Sequence, residues 1–411
     1  MGISERESSI NLQQNWRTKD VWSISLSAFF ADLGYQSVLA AFPLFLVLDM
    51  HEPVWEYGLA MALSYGGGAV FSLVGARLGD RIGHRRLAII GNCLIPLLSL
   101  SALFANPAWA IGLLSGGWWA RNLRSPSRRV MLNEAVPADE FRVRIFGFLH
   151  ALDVGGAAAA AILVMIALKQ GAPFRLLFLF TIVPLVVSSL MLTRATTGRR
   201  PSIAHDRSAP SPATPKNAAP RHSAGAKAIF LSTALYGFTF YSIGFPVLTV
   251  AQKTGSNVLG IAAFLVFQGF SAATGYLLAR RLGGTLFRRF VNLGLYGYLS
   301  SALGAAVLIL DIHYKLGTLE YLLGMAVLGF ALGIIETLEP SLVAVMSEKI
   351  GSGRSFGALS SSRSVGLFVG NLVMGLLYQL GPSWSYGYAG IMAAAAALIM
   401  VLAANRLPAQ I

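Results

Sequence analysis

The sequence predicts an all-α membrane protein, with twelve transmembrane helices in two pseudo-symmetric six-helix bundles. Three observations predict it. Apolar runs of about 20 residues, the length that crosses a bilayer, recur along almost the whole of the 411-residue chain. A short pattern repeats: Arg144-Ile145-Phe146-Gly147 returns as Arg354-Ser355-Phe356-Gly357, 210 residues later, and each copy opens a long, glycine-dotted apolar segment. Between the copies lies a polar, proline-rich break at residues 194–227. A parallel repeat in a hydrophobic chain is the mark of two helical bundles facing each other across a membrane.

The twelve expected spans follow in order. The first six cover residues 22–48, 56–78, 87–105, 108–132, 143–168 and 174–193. The break then holds Pro201, Pro210, Pro212, Pro215 and Pro220 among Ser, Ala, Arg and Lys, a composition that buries no core and reads as a flexible cytoplasmic linker. Six more spans cover 228–251, 257–280, 290–310, 319–346, 356–380 and 385–404. The domains expected are therefore a tail at 1–20, an N-terminal bundle at 21–193, the linker at 194–227, a C-terminal bundle at 228–404 and a tail at 405–411. The polar start followed by a long apolar stretch reads as a retained helix rather than a cleaved signal peptide.

Charge sets the orientation. The chain is 55% hydrophobic and 12% charged, about half the charge of a soluble protein, yet its net charge is +14. With both termini in the cytoplasm, only Lys169, Arg175, Lys253 and Lys315 of the 32 basic residues fall at the outer face. This is the positive-inside pattern. The basic loops are thus a topology signal and a contact for anionic membrane lipid, not a nucleic-acid site. Cys93 is the single cysteine, which excludes an intramolecular disulfide and a thiolate metal cluster. No nucleotide loop, metal-ligand spacing or nucleophile elbow appears, so the expectation is no enzyme, no cofactor and no metal.

The repeat is visible in local signatures as well. Arg77-Leu78-Gly79-Asp80 corresponds to Arg281-Leu282-Gly283-Gly284, and the basic pairs Arg85-Arg86 and Arg288-Arg289 follow. Ser125-Pro126-Ser127 corresponds to Glu339-Pro340-Ser341. Between the second and third spans, Gly79-Asp80-Arg81-Ile82-Gly83-His84-Arg85-Arg86 resembles the loop signature of the major facilitator superfamily, with His84 standing where Arg is common. Phe29-Phe30-Ala31-Asp32 with Pro43-Leu44-Phe45-Leu46, Arg121-Asn122-Leu123-Arg124-Ser125-Pro126-Ser127-Arg128, and Phe146-Gly147-Phe148-Leu149-His150-Ala151-Leu152-Asp153 are similar to the first, fourth and fifth helices of a bacterial permease and efflux subgroup. Gln36, Asn122 and Arg129 stand where that subgroup usually has Glu, Gly and Asp. The resemblance implies a fold whose first, fourth, fifth, seventh, eighth, tenth and eleventh helices line a cavity.

Every charge placed inside a span falls on one of those helices: Asp32, Arg121, Arg124, His150, Asp153, Glu336, Glu339 and Arg363. A charge within the bilayer is costly unless it faces a cavity or a partner. Arg121 and Arg124, His150 and Asp153, and Glu336 and Glu339 are each three residues apart, so each pair shares a helical face. Two readings of these charges stand. In one, Asp32, Arg121, His150, Glu336 and Glu339 carry a proton or touch cargo. In the other, Arg124, Asp153 and Arg363 latch the cytoplasmic side, together with the loop residues Asp80, Arg81 and Arg85. His84 reads as a cationic loop residue. Ala151, Gly155 and Ala159, and Gly366 and Gly370, read as small-residue packing faces. Tyr35, Trp118, Trp119, Tyr236, Phe240, Tyr241 and Phe267 are candidates for an apolar cargo wall.

The function these readings imply is a secondary active transporter. It moves a small organic solute across the cell's inner membrane by alternating access, coupled to protons and working as an efflux permease, as a monomer. The alternatives are a non-transporting membrane sensor or scaffold, and an uncoupled uniporter.

Overall fold

The computed structural model describes residues 17–135, 142–197, 221–239, 243–278, 285–347 and 352–405. Most of the expected linker, the repeat partner Arg281–Gly284, and Phe240 and Tyr241 of the expected cargo wall lie outside the described residues. Those described are helical, with no strand among them. The helices are α1 (Lys19–Leu44), α2 (Val54–Ile82), α3 (His84–Leu94), α4 (Pro107–Glu134), α5 (Arg142–Lys169), α6 (Phe174–Phe180) and α7 (Ile182–Thr193). They continue with α8 (Arg221–Thr239), α9 (Gly244–Thr254), α10 (Asn257–Leu278), α11 (Leu286–Asn292), α12 (Ser300–Tyr314), α13 (Thr318–Ser347), α14 (Ser352–Leu380) and α15 (Pro382–Ala404).

Nine helical segments among the described residues are long and apolar enough to cross a membrane. The three other expected spans fall on α4, on α8 with α9, and on α14. Polarity rather than length sets α4 and α14 apart: α4 carries four arginines, and α14 opens on a serine-rich stretch. Large apolar side chains stand on the surface along the spans, among them Val70, Leu176, Val183, Leu190, Leu303 and Ile391. Water would penalise such a surface, and a lipid tail does not.

Local sequence explains the irregular points. Pro43 has no N–H to give the helical ladder, and just beyond it α1 widens into a π-helical turn over Phe45–Asp49. The α3 helix tightens to a 3-10 helix over Ile95–Leu103, with Pro96 in its first turn. Asn106 caps α4 by accepting from the Ala108 N–H at 2.9 Å, and Pro107 follows at the first helical position. Gly83 turns the chain from α2 into α3 at φ 93°, a conformation that a side chain resists.

Contacts divide the chain into two compact units. The first comprises Met1–Val38, Val70–Leu163 and Pro173–Pro210. The second comprises Leu39–Ala69, Val164–Ala172 and Ser211–Ile411. In the first, Val21, Ile24, Ala28, Ala88, Met131 and Leu192 belong to one buried apolar cluster. In the second, α10 packs on α13, and α14 and α15 pack on α8. The second unit includes the far end of α1 and the start of α2 because small residues let backbones meet there. A Cβ on Gly58 would fall 2.5 Å from the Asn371 carbonyl oxygen and 2.8 Å from the Gly375 Cα, and Tyr57 lies against Gly244 and Phe245.

Candidate functional site

In the first unit the charges gather on α1, α4 and α5. Asp32 and Tyr35 lie one turn apart on α1, and both are buried. The Tyr35 hydroxyl donates to Asp32 Oδ1. Asp32 Oδ2 is buried without a hydrogen-bond partner among the described residues. The close neighbour across from them is Gly156 of α5, where any Cβ would strike the Phe29 carbonyl oxygen and reach 3.0 Å from Asp32 Cβ. The expected small-residue face is thus offset by one position. Gly155 has nothing nearer than 3.8 Å, and Ala151 is exposed, whereas Gly156, Ala157 and Ala160 are buried.

Arg121, Arg124 and Arg128 recur at i, i+3 and i+7 on one face of α4. Arg121 Nη2 donates to the Tyr35 hydroxyl at 3.3 Å. Its guanidinium carbon lies 4.7 Å from the Trp118 ring centroid and 5.2 Å from that of Tyr35. Those two rings meet edge to face at 5.8 Å. Arg124 is fully buried and donates Nη1–H to Asn92 Oδ1. Asn92 in turn donates to Ser188 at 3.0 Å and Ser189 at 2.9 Å, and Ser188 reaches the Ser27 carbonyl at 2.6 Å. Asp153 faces Arg128 at 3.4 Å. His150 is exposed on α5.

The α2–α3 turn is built differently from the sequence reading. His84, expected in a loop, is buried at the first position of α3: Nδ1 lies 3.2 Å from Ser127 Oγ and Nε2 lies 3.4 Å from Asp80 Oδ1. Gly79 is required beneath it, since a Cβ there would fall 2.5 Å from His84 Nδ1. Asp80 and Arg81 are exposed. Arg85 turns away from Asp80 to the end of α7, donating to the carbonyls of Ala195 at 2.7 Å and Thr193 at 2.6 Å. Asp20 completes that clasp by accepting from the N–H groups of Thr196 and Thr197 at 3.1 and 3.0 Å.

In the second unit Glu336 and Glu339 lie one turn apart on α13, and Arg363 of α14 bridges them. Nη1 reaches Glu336 Oε1 at 2.5 Å and Nη2 reaches Glu339 Oε2. The Tyr298 hydroxyl donates to Glu339 Oε1, so both oxygens of this fully buried carboxylate are engaged. Tyr236 packs on Tyr298 with centroids 5.3 Å apart. One turn beyond Arg363, Gly366 presses on Ala234 and Gly237 of α8, as the small-residue reading expects. Trp119 stacks on Phe71 at 5.2 Å, and Phe267 is buried.

Three residues of these clusters were absent from the sequence-derived charge set. Arg128 was signalled by its seven-residue spacing from Arg121. Asn92 and Tyr298 carried no local signal, because their partners come from other helices. In this arrangement the clusters can hold and release protons on buried carboxylates and offer a guanidinium to an anion.

The family model of the Major Facilitator Superfamily matches residues 24–354. Among solved structures, the chain is similar to a POT family transporter in complex with a thioalcohol-conjugated peptide. The identity is 14%, the TM-score is 0.76, and 93% of this chain and 95% of that one are covered. It is similar also to a D-xylose–proton symporter, at 16% identity and TM-score 0.71, with coverage of 93% and 97%. A third similar structure is the xylose transporter XylE from E. coli in an inward open conformation, at 15% identity and TM-score 0.70, with coverage of 92% and 95%. These likenesses show the fold. No curated protein matches the chain.

Proposed function

Since the chain belongs to the Major Facilitator Superfamily, we propose that this multi-pass membrane transporter couples movement of a small organic solute to protons through Asp32. The transport is by alternating access of two six-helix bundles, residues 21–193 and 228–404. The observation that carries this reading is the state of Asp32. The carboxylate is buried in a membrane span, shares one oxygen with Tyr35, and makes no ion pair among the described residues. Ionisation there is costly unless water or a cation reaches it, and protonation removes most of that cost. A group poised in this way changes protonation when its surroundings change. Glu339 is a weaker candidate because Arg363 and Tyr298 already occupy both of its oxygens. The proton coupling named for the similar D-xylose symporter supports the reading. The resemblance to permease and efflux proteins favours export.

Solute-stimulated proton flux in proteoliposomes tests it. Asp32→Asn is expected to lose pH-gradient-driven transport by at least about tenfold, or ~1.4 kcal/mol, while binding of the solute persists. Wild-type coupling in Asp32→Asn would move the proton site to Glu339. Solute flux with no proton movement in the wild type would make the protein a uniporter. The orientation that the basic loops imply, with both termini and the linker in the cytoplasm of an inner-membrane protein, is tested at Ser208→Cys in a Cys93→Ser background. An impermeant thiol reagent added to intact cells is expected to leave it unlabelled, and strong labelling overturns the topology.

A further inference from the structure

We propose that Arg121 is the receptor for an anionic group of the transported solute, so that the cargo class is a carboxylate- or phosphate-bearing organic anion. The inference rests on the transporter reading and names its substrate class. Four arginines belong to the two charged clusters, and three have an oxygen acceptor suited to a cation. Arg128 faces Asp153, Arg124 meets the amide oxygen of Asn92, and Arg363 spans two glutamates. Arg121 makes no ion pair among the described residues. Its hydrogen bond goes to a hydroxyl, Tyr35, that is itself donated to Asp32, so the tyrosine stands between the acid and the base.

The surroundings of Arg121 hold it ready rather than neutralise it. Trp118 and Tyr35 lie within cation–π distance of the guanidinium. Aromatic rings fix a guanidinium without consuming its N–H donors, which point outward in its own plane. Arg121 Nε is buried without a hydrogen-bond partner among the described residues, as are the Nε atoms of Arg124, Arg128 and Arg363, so what sets Arg121 apart is that no carboxylate or amide oxygen meets its guanidinium. Carboxylates and phosphates present paired oxygens that match this fork, and such charge-assisted bidentate contacts are the strong ones. Asp153 answers Arg128, and Arg121 meets a hydroxyl rather than a carboxylate, so one monoanion would balance it. A cation left unbalanced within a membrane span is costly, and a bound anion offsets that cost. A cationic cargo would meet repulsion here instead.

The test uses one ring with four headgroups: benzoate, phenyl phosphate, benzamide and benzylamine. Binding to the purified full-length protein is followed as a saturable rise in the thermal unfolding midpoint. Benzoate or phenyl phosphate is expected to raise it, and benzamide and benzylamine are not. Arg121→Gln is expected to weaken anion binding at least tenfold. Arg121→Lys, which keeps the charge and loses the fork, should fall between them and serves if the glutamine variant does not fold. Arg175→Gln, an exposed arginine outside the cluster and the latch, should bind as wild type. Equal binding of benzamide, anion binding unchanged in either Arg121 variant, or no response of the wild type to both anions overturns the proposal. Flux measurements on the same panel separate this from the transporter reading. Transport of the neutral or cationic member alone removes the role of Arg121 and keeps the transporter. Anion binding with no flux under any gradient keeps the site and removes the transporter.

Discussion

Asp32 and Glu339 each accept a hydrogen bond from a buried tyrosine, Tyr35 in one unit and Tyr298 in the other. Beyond that the clusters part. Around Glu339 the arginine closes: Arg363 grips Glu336 and Glu339 at once, and nothing on the buried carboxylate is left over. Around Asp32 the arginine is held off. Arg121 rests on aromatic rings, Asp32 Oδ2 has no hydrogen-bond partner among the described residues, and the second acid, Asp153, faces Arg128. A closed cluster is stabilised by its own members, so its parts are needed to keep the fold. An open cluster has unspent donors and acceptors, so its parts are available to a proton or a ligand. The same ingredients thus form a closed cluster in one unit and an open one in the other, according to whether the guanidinium touches the acid, and the open one is where we propose that proton and cargo act.

The largest effect should come from opening the clamp. Arg363→Ala leaves Glu339 buried without its cation, and breaking a buried pair in this way costs about 3–5 kcal/mol. Asp32→Asn breaks no ion pair and keeps an oxygen for Tyr35, so its cost should stay under about 1 kcal/mol. Thermal unfolding of both variants in detergent tests the contrast directly. If Asp32→Asn destabilises as much as Arg363→Ala, the distinction between clamp and working site fails.

A second pair of variants tests how the open cluster is positioned. Gly156 and Gly155 are neighbours in α5, but only Gly156 meets the Phe29 carbonyl and Asp32. Gly156→Ala should force α5 away from α1 at about 1–3 kcal/mol, the usual cost of overpacking, and should impair proton coupling with it. Gly155→Ala has room and replaces a flexible residue in a helix, so it should gain up to about 1 kcal/mol. Unfolding midpoints that move in the same direction for both would show that α5 does not set the place of Asp32.

That pair also shows how far the sequence carries. Hydrophobic run length located nine of the twelve expected spans as helices long and apolar enough to cross a membrane among the described residues, because burial in lipid is a one-dimensional demand on the chain. The charges within those spans were legible too, since Asp32, Arg121, Glu339 and Arg363 stand out in apolar surroundings. Their pairing was not. Arg124 offered itself as a latch, and the partner that meets it is Asn92, with the serines behind it. His84 read as a cationic loop residue and is buried at the start of α3 against Ser127. Arg85 read as a latch candidate, and its side chain donates to the carbonyls at the end of α7. Each of these depends on which face of a second helix arrives opposite, and a spacing of three or four residues fixes a face only on its own helix. The choice between Gly155 and Gly156 is the same problem at a resolution of one residue, about 100° of helical rotation.

The smallest effect on stability is expected at Asp80, where the two halves of the sequence differ most plainly. Its repeat counterpart is Gly284, so this charge belongs to one half only. Its observed partner is His84 at 3.4 Å, and the Asp80 side chain is 65% exposed. An exposed carboxylate at that distance contributes little, and Asp80→Asn should change stability by less than about 0.5 kcal/mol. A role in closing the cytoplasmic side would therefore appear in conformation rather than in unfolding. Crosslinking between cysteines introduced at the cytoplasmic ends of the two bundles, in a Cys93→Ser background, tests this through its yield. With Asp80→Asn the yield should fall and the inward-open population rise, with expression retained. Unchanged yield and unchanged transport would make Asp80 an ordinary solvated charge. The asymmetry between the halves would then rest on the two buried clusters alone.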